Sequence, residues 1–278
     1  MGFQRPLAFG GFGQSPTLLR IPLPSRALQP HATPETPMTL TAERIPLLSD
    51  NYAWLLRDSD SGAVALVDPA EAKPCLDAVA RAGRLDLILL THHHSDHTAA
   101  TDEVRARHPA PVAGAAADEY RLPRLDIRLH DGDTLPLGTA RGAVMDTPGH
   151  TVGHISVFFP EGPLLLCADT LFSLGCGRLL EGTAAQMFAS LRRFDALPDA
   201  TLVCCGHEYT QSNARFALSV DPGNPALRAR AADVDRLRAA GEPTVPSTLG
   251  EERAANPFLR APDAATLGDL RQRKDRFR

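Results

Sequence analysis

A chain of 278 residues, 43% of them hydrophobic and 22% charged, can bury one large globular domain and still carry a smaller appendage. A formal net charge of −4 offers no basic field for nucleic acid or an anionic membrane surface. No stretch approaches the ~20 apolar residues that span a bilayer. The odd count of five cysteines, without a CxxC pair, fits free thiols in a reducing, cytoplasmic setting better than a disulfide framework.

Residues 1–37 are rich in Pro, Gly and Ser, carry Arg5, Arg20 and Arg26, and hold one acid, Glu35. Without a hydrophobic period they cannot repay their ordering entropy. They read as a disordered extension, an Arg-rich transit peptide, or sequence upstream of a start at Met38. The fold is expected from residue 38 onward.

Asn51–Arg57 and Ala63–Val67 read as strands joined by the turn Asp58-Ser59-Asp60-Ser61-Gly62. Pro74–Ala82 is an amphipathic helix closed by Gly83. Leu85–Leu90 is an apolar run with no polar alternation, the mark of a buried strand. Thr98–Arg107 reads as a helix stopped before Pro109. Short strands follow at 111–113, 126–129 and 143–146. Two more, Ile155–Phe159 and Leu164–Cys167, flank the turn Glu161-Gly162. Thr183 with Gln186 opens a helix to Asp195 through a capping box. Thr201–Cys205 is another buried strand. Beyond Tyr209 the pattern turns helical, with starts marked by Asn224-Pro225, Thr248 with Glu251, and Asp263. The chain therefore divides into a strand-rich part, 38–209, and a helical part, 210–278.

The chemistry gathers at strand ends. After Leu90 come Thr91 and then His92, His93, His94, Ser95, Asp96 and His97. Crowded imidazoles repel one another when protonated and are costly to desolvate when neutral and unpaired. A divalent cation removes both difficulties, since it takes neutral imidazole and ionised carboxylate as ligands. His150, Asp169 and His207 each stand just past another strand. Four such placements point to one site along one edge of a sheet sandwich. His93 alternates with its neighbours and is expected to point away from them. His154 reads as structural, and His31, His108 and His130 as surface residues. Asp68 fits either a strand-ending turn or a partner of a ligand imidazole.

The run Thr91-His92-His93-His94-Ser95-Asp96-His97 resembles the T-H-x-H-x-D-H signature of the metallo-β-lactamase superfamily. Further matches narrow the resemblance to the glyoxalase II, or hydroxyacylglutathione hydrolase, family. They are Ser49-Asp50-Asn51-Tyr52, Thr147-Pro148-Gly149-His150-Thr151, Asp169-Thr170-Leu171-Phe172, Gly175-Cys176-Gly177-Arg178, Gly206-His207-Glu208-Tyr209-Thr210, Asn256-Pro257-Phe258 and Lys274-Asp275-Arg276-Phe277. The match runs from about Leu40 to Phe277. Two positions depart from the family pattern: Ala168 stands where glycine is usual, and Leu180 where an aromatic is common.

The resemblance implies an α/β (α+β) fold, an αββα sandwich followed by a small helical substrate-binding domain. It implies two divalent metal ions, zinc first, with iron or manganese also compatible with the donors. His92, His94 and His150 would hold one ion, and Asp96, His97 and His207 the other. Asp169 would bridge them, with Asp96 and Asp169 the catalytic carboxylates. A bridging hydroxide, formed because metals lower the pKa of bound water from 15.7 to about 7, would attack the thioester carbonyl of S-D-lactoylglutathione. Arg178, Tyr209, Arg271 and Lys274 would bind the glutathione part. The products would be D-lactate and glutathione, the second step of methylglyoxal detoxification. The partner is thus a small thioester, with no nucleic acid and no membrane, and the protein a monomer. Rival readings are a persulfide dioxygenase-like enzyme, another hydrolase of the superfamily, and a catalytically silent metal-binding module. The first two branches lack the full helical C-terminal part.

Overall fold

The computed structural model describes residues 39–277, so residues 1–37 and His31 lie outside the described part. The chain opens with β1 (Leu40–Leu47), β2 (Asn51–Asp58) and β3 (Val64–Val67), then α1 (Ala72–Ala82) and β4 (Leu87–Leu89). Two short helices follow, α2 (Ser95–Thr98) and α3 (Thr101–Arg107), then β5 (Val112–Ala115) and β6 (Ile127–Leu129). These six strands form one sheet in sequential order, antiparallel from β1 to β3 and parallel from β3 to β6. Next come β7 (Thr134–Leu137), β8 (Ala140–Asp146), β9 (Ile155–Phe159), β10 (Leu164–Ala168), and the two-residue pair β11 (Leu171–Phe172) and β12 (Gly175–Cys176). After α4 (Ala184–Arg192) the chain continues through β13 (Leu202–Cys205), α5 (Thr210–Val220), α6 (Pro225–Ala239), β14 (Ser247–Thr248), α7 (Leu249–Ala255) and α8 (Ala264–Arg276). The second sheet has the order β14-β13-β10-β9-β8-β7.

The period-2 geometry of strands sorts the apolar residues into layers. In β10, Leu164 and Leu166 face the other sheet's Trp54, Leu56 and Leu89 and share that core with Val157 and Phe159 of the adjacent β9. Leu165 and Cys167 face outward onto Met187 and Leu191 of α4, Leu249 of α7 and Leu267 of α8. On the far side of the first sheet, Leu66 and Ile88 pack against Cys75 and Val79 of α1 and Val104 of α3. The order is helix, sheet, sheet, helix, as the resemblance implies.

Four of the eight described α-helices start at a capping side chain. Thr183 and Thr248 both make complete capping boxes, and Asn224 and Asp263 accept from the amides of Leu227 and Thr266. Gly83 ends α1 at φ 80°, a conformation that favours glycine. Several features differ from expectation, among them the unanticipated pair β11–β12. β1 was not anticipated, because Pro46 interrupts its apolar pattern; as an edge strand it tolerates a missing amide donor. β7 was not anticipated either, since it is a short polar-alternating edge. The helix expected over 98–107 is two helices, since α2 ends at Thr98 and α3 begins at Thr101. Finally, β14 adds an edge strand to the second sheet from within the helical stretch, pairing Leu202 with Thr248. β14, with Leu249 of α7 and Leu267 of α8, ties this stretch to the second sheet, while Ala214 and Ala217 of α5 and Leu227 and Ala231 of α6 share a separate cluster.

A buried polar clamp ties the helical stretch to the segment that follows Asp169. Asn256 Nδ2 donates to the carbonyls of Phe172 (3.1 Å) and Gly175 (3.0 Å) and to Glu252 Oε2 (2.9 Å). Glu252 Oε2 also accepts from the amide of Leu174 (2.7 Å), which sits at φ 57°. Asn213 Nδ2 holds the carbonyl of Ser173 at 3.1 Å.

Candidate metal centre and substrate cleft

Every ligand-type residue leaves the C-terminal end of a strand. His92 and His94 follow β4, and Asp96 and His97 occupy the first turn of α2. His150 sits in the turn after β8, Asp169 directly after β10, and His207 just past β13. The strands are held by the buried sheet ladder, so the loops converge on one edge. Among the described residues, His92, His94 and His150 bring their ligand atoms within 4.8 Å of one another, and Asp96, His97 and His207 do the same. Asp169 stands between the two trios. Its Oδ1 is 3.4 Å from His97 Nε2, and its Oδ2 is 3.4 Å from both His150 Nε2 and His207 Nε2.

A second layer sets the direction of each ring. His97 Nδ1 faces Asp68 Oδ2 at 3.0 Å, His207 Nδ1 faces Asp50 Oδ1 at 3.1 Å, and His150 Nδ1 faces the Arg178 carbonyl at 2.9 Å. An acceptor opposite Nδ1 places the proton there and turns the Nε2 lone pair inward. Asp68, His92 and His97 also lie within 4.8 Å of one another. However, Asp68 is already committed to the Thr91 amide (2.9 Å) and hydroxyl (2.7 Å). Of its two readings from sequence, the structure supports the orienting partner. Asn51 Nδ2 donates to the Asp96 carbonyl (3.0 Å) and to Asp96 Oδ2 (3.1 Å).

The donor set suits a cation. His150 Nε2 lies 3.0 Å from His94 Nδ1, and His97 Nε2 lies 3.4 Å from His207 Nε2. His92 Nε2 and Asp169 Oδ1 are buried with no hydrogen-bond partner. Buried acceptors converging without donors are what a divalent ion satisfies. Gly206 leaves the room: a Cβ there would lie 2.5 Å from Asp169 Oδ1 and 2.7 Å from His97 Cε1. Ala168, where the family pattern has glycine, sits at φ 36°. Its methyl group carries strain of about 1 kcal/mol, which glycine avoids.

Electrostatics divide the imidazoles. Burial, reinforced by His97, holds the pKa of His92 well below its ordinary value, and burial with His150 lowers that of His94. For His97, burial opposes the charge, but Asp169, Asp68 and Asp96 outweigh it and push the pKa up to about 9. His207 is likewise raised by Asp169 against burial. Asp169 lies far below the usual carboxylate range, because His97 and His207 overcome its burial.

His93, His154 and His130 fall where the sequence reading places them, whereas His108, expected at the surface, is half-buried. His93 turns away from His92 and His94 to Asp118 Oδ2, 2.9 Å distant. His154 is structural but close: its ring stacks on His92 at 4.8 Å, and burial lowers its pKa to about 3. Its Nε2 accepts from the Asp169 amide at 3.3 Å. His130 is exposed.

The trios open into a cleft of about 660 Å³ that Arg178, Leu180, Tyr209, Arg271 and Lys274 also line. Tyr209 stacks on His207, with centroids 4.5 Å apart. Lys274 Nζ donates to Ser212 Oγ (2.7 Å) and lies over the rings of Phe216 and Phe277. Arg271 is only 6% exposed; it donates to the Cys176 carbonyl (2.7 Å) and pairs with Asp275 (2.9 Å). Arg178 is largely exposed, 3.7 Å from Asp275. Sequence reasoning missed Asp118, Arg121 and Glu181, and quoted Asp50 and Asn51 only as part of a motif. Their contacts with the site span 25 to 157 residues, so no local pattern announces them.

The sandwich and its histidine–aspartate cluster define a protein of the metallo-β-lactamase superfamily, whose family model matches residues 48–207. A second model, the hydroxyacylglutathione hydrolase C-terminus, matches residues 208–277. A hydroxyacylglutathione hydrolase of Acidiphilium cryptum (strain JF-5) is 56% identical over 238 residues, covering 85% of this chain and 97% of that protein. Another, from Ruegeria pomeroyi, is 51% identical over 255 residues, covering 86% of this chain and all of that one. The chain belongs to the hydroxyacylglutathione hydrolase family. Among solved structures, ETHE1 from Myxococcus xanthus shares the fold, with a TM-score of 0.64 at 24% identity over 84% of this chain and 90% of that one.

Proposed function

We propose that the protein hydrolyses S-(2-hydroxyacyl)glutathione, S-D-lactoylglutathione above all, to a 2-hydroxy acid and glutathione, as the second step of methylglyoxal detoxification in the cytoplasm. The observation that carries this reading is the meeting of two ligand trios at Asp169, at the base of a cleft lined by Arg178, Arg271 and Lys274. In this reading His92, His94 and His150 hold one ion, Asp96, His97 and His207 the other, and Asp169 serves both. The ions are zinc, with iron or manganese as compatible alternatives. Divalent ions held there would supply a nucleophilic oxygen at neutral pH and a positive centre for developing negative charge.

The chain's own residues supply binding and order. Arg178, Arg271 and Lys274 place cations where the anionic glutathione carboxylates need them. Burial and Asp50 raise the pKa of Tyr209, so it stays a neutral phenol able to donate a hydrogen bond. Asp68, Asp50 and the Arg178 carbonyl keep three imidazole lone pairs pointed inward. A thiolate with a pKa near 8.5 leaves without help, so the cleft needs no strong general acid. The described residues expose six large apolar side chains, and three of them (Leu180, Tyr209 and Phe277) line the cleft. This supports a monomer. The helical stretch from about residue 210 contributes Arg271 and Lys274 and serves as the substrate-binding part.

The test is turnover of S-D-lactoylglutathione by the purified full chain, followed as loss of thioester absorbance, beside elemental analysis. Hydrolysis with two equivalents of metal is expected. Metal-loaded protein that leaves the thioester intact would overturn the reading. A pH dependence follows from Lys274. Burial, then Arg271 and Arg178, lower its pKa to about 8 against the pull of Asp275. The side chain is charged below that pH and neutral above it. KM is expected to climb as pH rises through about 8, and a Lys274→Arg variant should lose that climb. An unchanged profile in the variant would remove Lys274 from substrate binding.

A further inference from the structure

Two separate sets of side chains stand behind the trios. The first is a closed ring of four groups. His93, between two ligand positions, sends Nδ1 to Asp118 Oδ2 (2.9 Å) and Nε2 to within 3.5 Å of Glu181 Oε1. Arg121 bridges the two acids: its Nε donates to Asp118 Oδ1 (2.6 Å) and its Nη2 to Glu181 Oε2 (3.2 Å). Glu181 then grips the turn that carries His150. Its Oε2 accepts from the Val152 amide (2.9 Å), and its own amide donates to the His150 carbonyl (3.3 Å). The Asp118 side chain is 1% exposed, and Arg121 and Glu181 are about a quarter exposed. Charge pairs this sheltered are screened less than surface pairs.

The second set is the segment before β2. Asp50 faces His207 and Asn51 holds Asp96 by two hydrogen bonds. The backbone is laced to the ligand strand by Tyr52 N to the Gly206 carbonyl (2.8 Å) and Glu208 N to the Asp50 carbonyl (2.8 Å). No residue of the ring belongs to this set. Asp68 is the joint between the sides, because it meets His97 directly and His92 through Thr91.

We infer that the Asp118–Arg121–Glu181 ring sets the affinity of the ion at His92, His94 and His150 alone, while Asp50 and Asn51 set that of the ion at Asp96, His97 and His207. The two ions can then be weakened one at a time by substitutions that replace no ligand. This rests on the two-ion reading above. Residues that orient ligands typically contribute ~10–100-fold in metal affinity.

The test is competition between the metal-free full chain and a chromophoric chelator for zinc. The unsubstituted protein should take up two equivalents. Glu181→Gln should weaken one equivalent by ~10–100-fold and leave the other unchanged, and Arg121→Met should do the same. Asn51→Ala should also weaken one equivalent, and the Asn51→Ala/Glu181→Gln double variant should weaken both. In a His94→Ala background, where the first position is lost, Glu181→Gln should have no effect and Asn51→Ala should still act. Two outcomes would overturn the inference: Glu181→Gln weakening both equivalents alike, or a lower melting temperature of the metal-free protein with both affinities intact. Uptake of one equivalent by the unsubstituted protein would instead overturn the two-ion reading on which it stands.

Discussion

Asp169→Asn is expected to lower kcat by ~10²–10⁴-fold, which corresponds to about 3–5 kcal/mol of lost transition-state stabilisation. Asparagine has nearly the volume of aspartate, so the loop after β10 can keep its shape. What changes is the charge. Asp169 is buried, and its oxygens approach Nε2 atoms of His97, His150 and His207 at 3.4 Å. A neutral amide sets an N–H₂ donor or a weaker acceptor against inward lone pairs. Bound metal should fall in parallel, measured by elemental analysis after gel filtration. Asp169→Ala should abolish thioester hydrolysis outright. Either variant turning over at the unsubstituted rate would show that the carboxylate does not join the two trios.

The second large effect is expected at Lys274 and Arg271, in KM. Hydrogen bonds to charged groups contribute about 1.5–3 kcal/mol, so Lys274→Ala should raise KM by ~10–100-fold while kcat changes much less. Neither residue is one of the ligand-type groups, so in the proposed reading their binding energy is expected to be the same in ground and transition states. Arg271 differs in one respect. It is buried, donates to the Cys176 carbonyl, and pairs with Asp275. Arg271→Ala should therefore also reduce stability, by about 1–3 kcal/mol for the acceptor left unpaired. Urea unfolding would separate that loss from the binding effect. Lysine cannot reproduce the forked contact, so Arg271→Lys should restore little stability. The double alanine variant should have a higher KM than either single one. A fall in kcat with KM unchanged would rule out a remote binding role for both.

Much of the fold is written in local chemistry. Thr183 with Gln186, Thr248 with Glu251, Asn224 with Pro225, and Asp263 each announce a helix through atoms within three residues, and each makes the cap it announces. The apolar run ending at Leu90 reads as a buried strand for the same kind of reason. β1, β7 and β14 are different. β1 and β7 are edges that pair with the next strand across a tight turn, Leu47 with Asn51 and Leu137 with Ala140, but their broken or short apolar patterns hide them; β14 pairs with β13, more than forty residues away, which no short window of sequence contains. The site divides in the same way. Seven ligand-type residues stand out because strand ends crowded with His and Asp have few structural uses.

The sequence by itself determined the donor chemistry, the strand ends that present it, and four capped helix starts, because propensity, capping and periodicity act over a few residues. Only the tertiary structure decided which partner holds each ligand-type group: Asp68 for His97, Asp50 for His207, Asn51 for Asp96, and the Arg121–Glu181 pair for the turn that carries His150. It also decided that Lys274 and Arg271 reach the same cleft as His94 and Asp169. Those contacts join residues far apart in the chain. They exist only once two sheets have packed and brought their strand ends together.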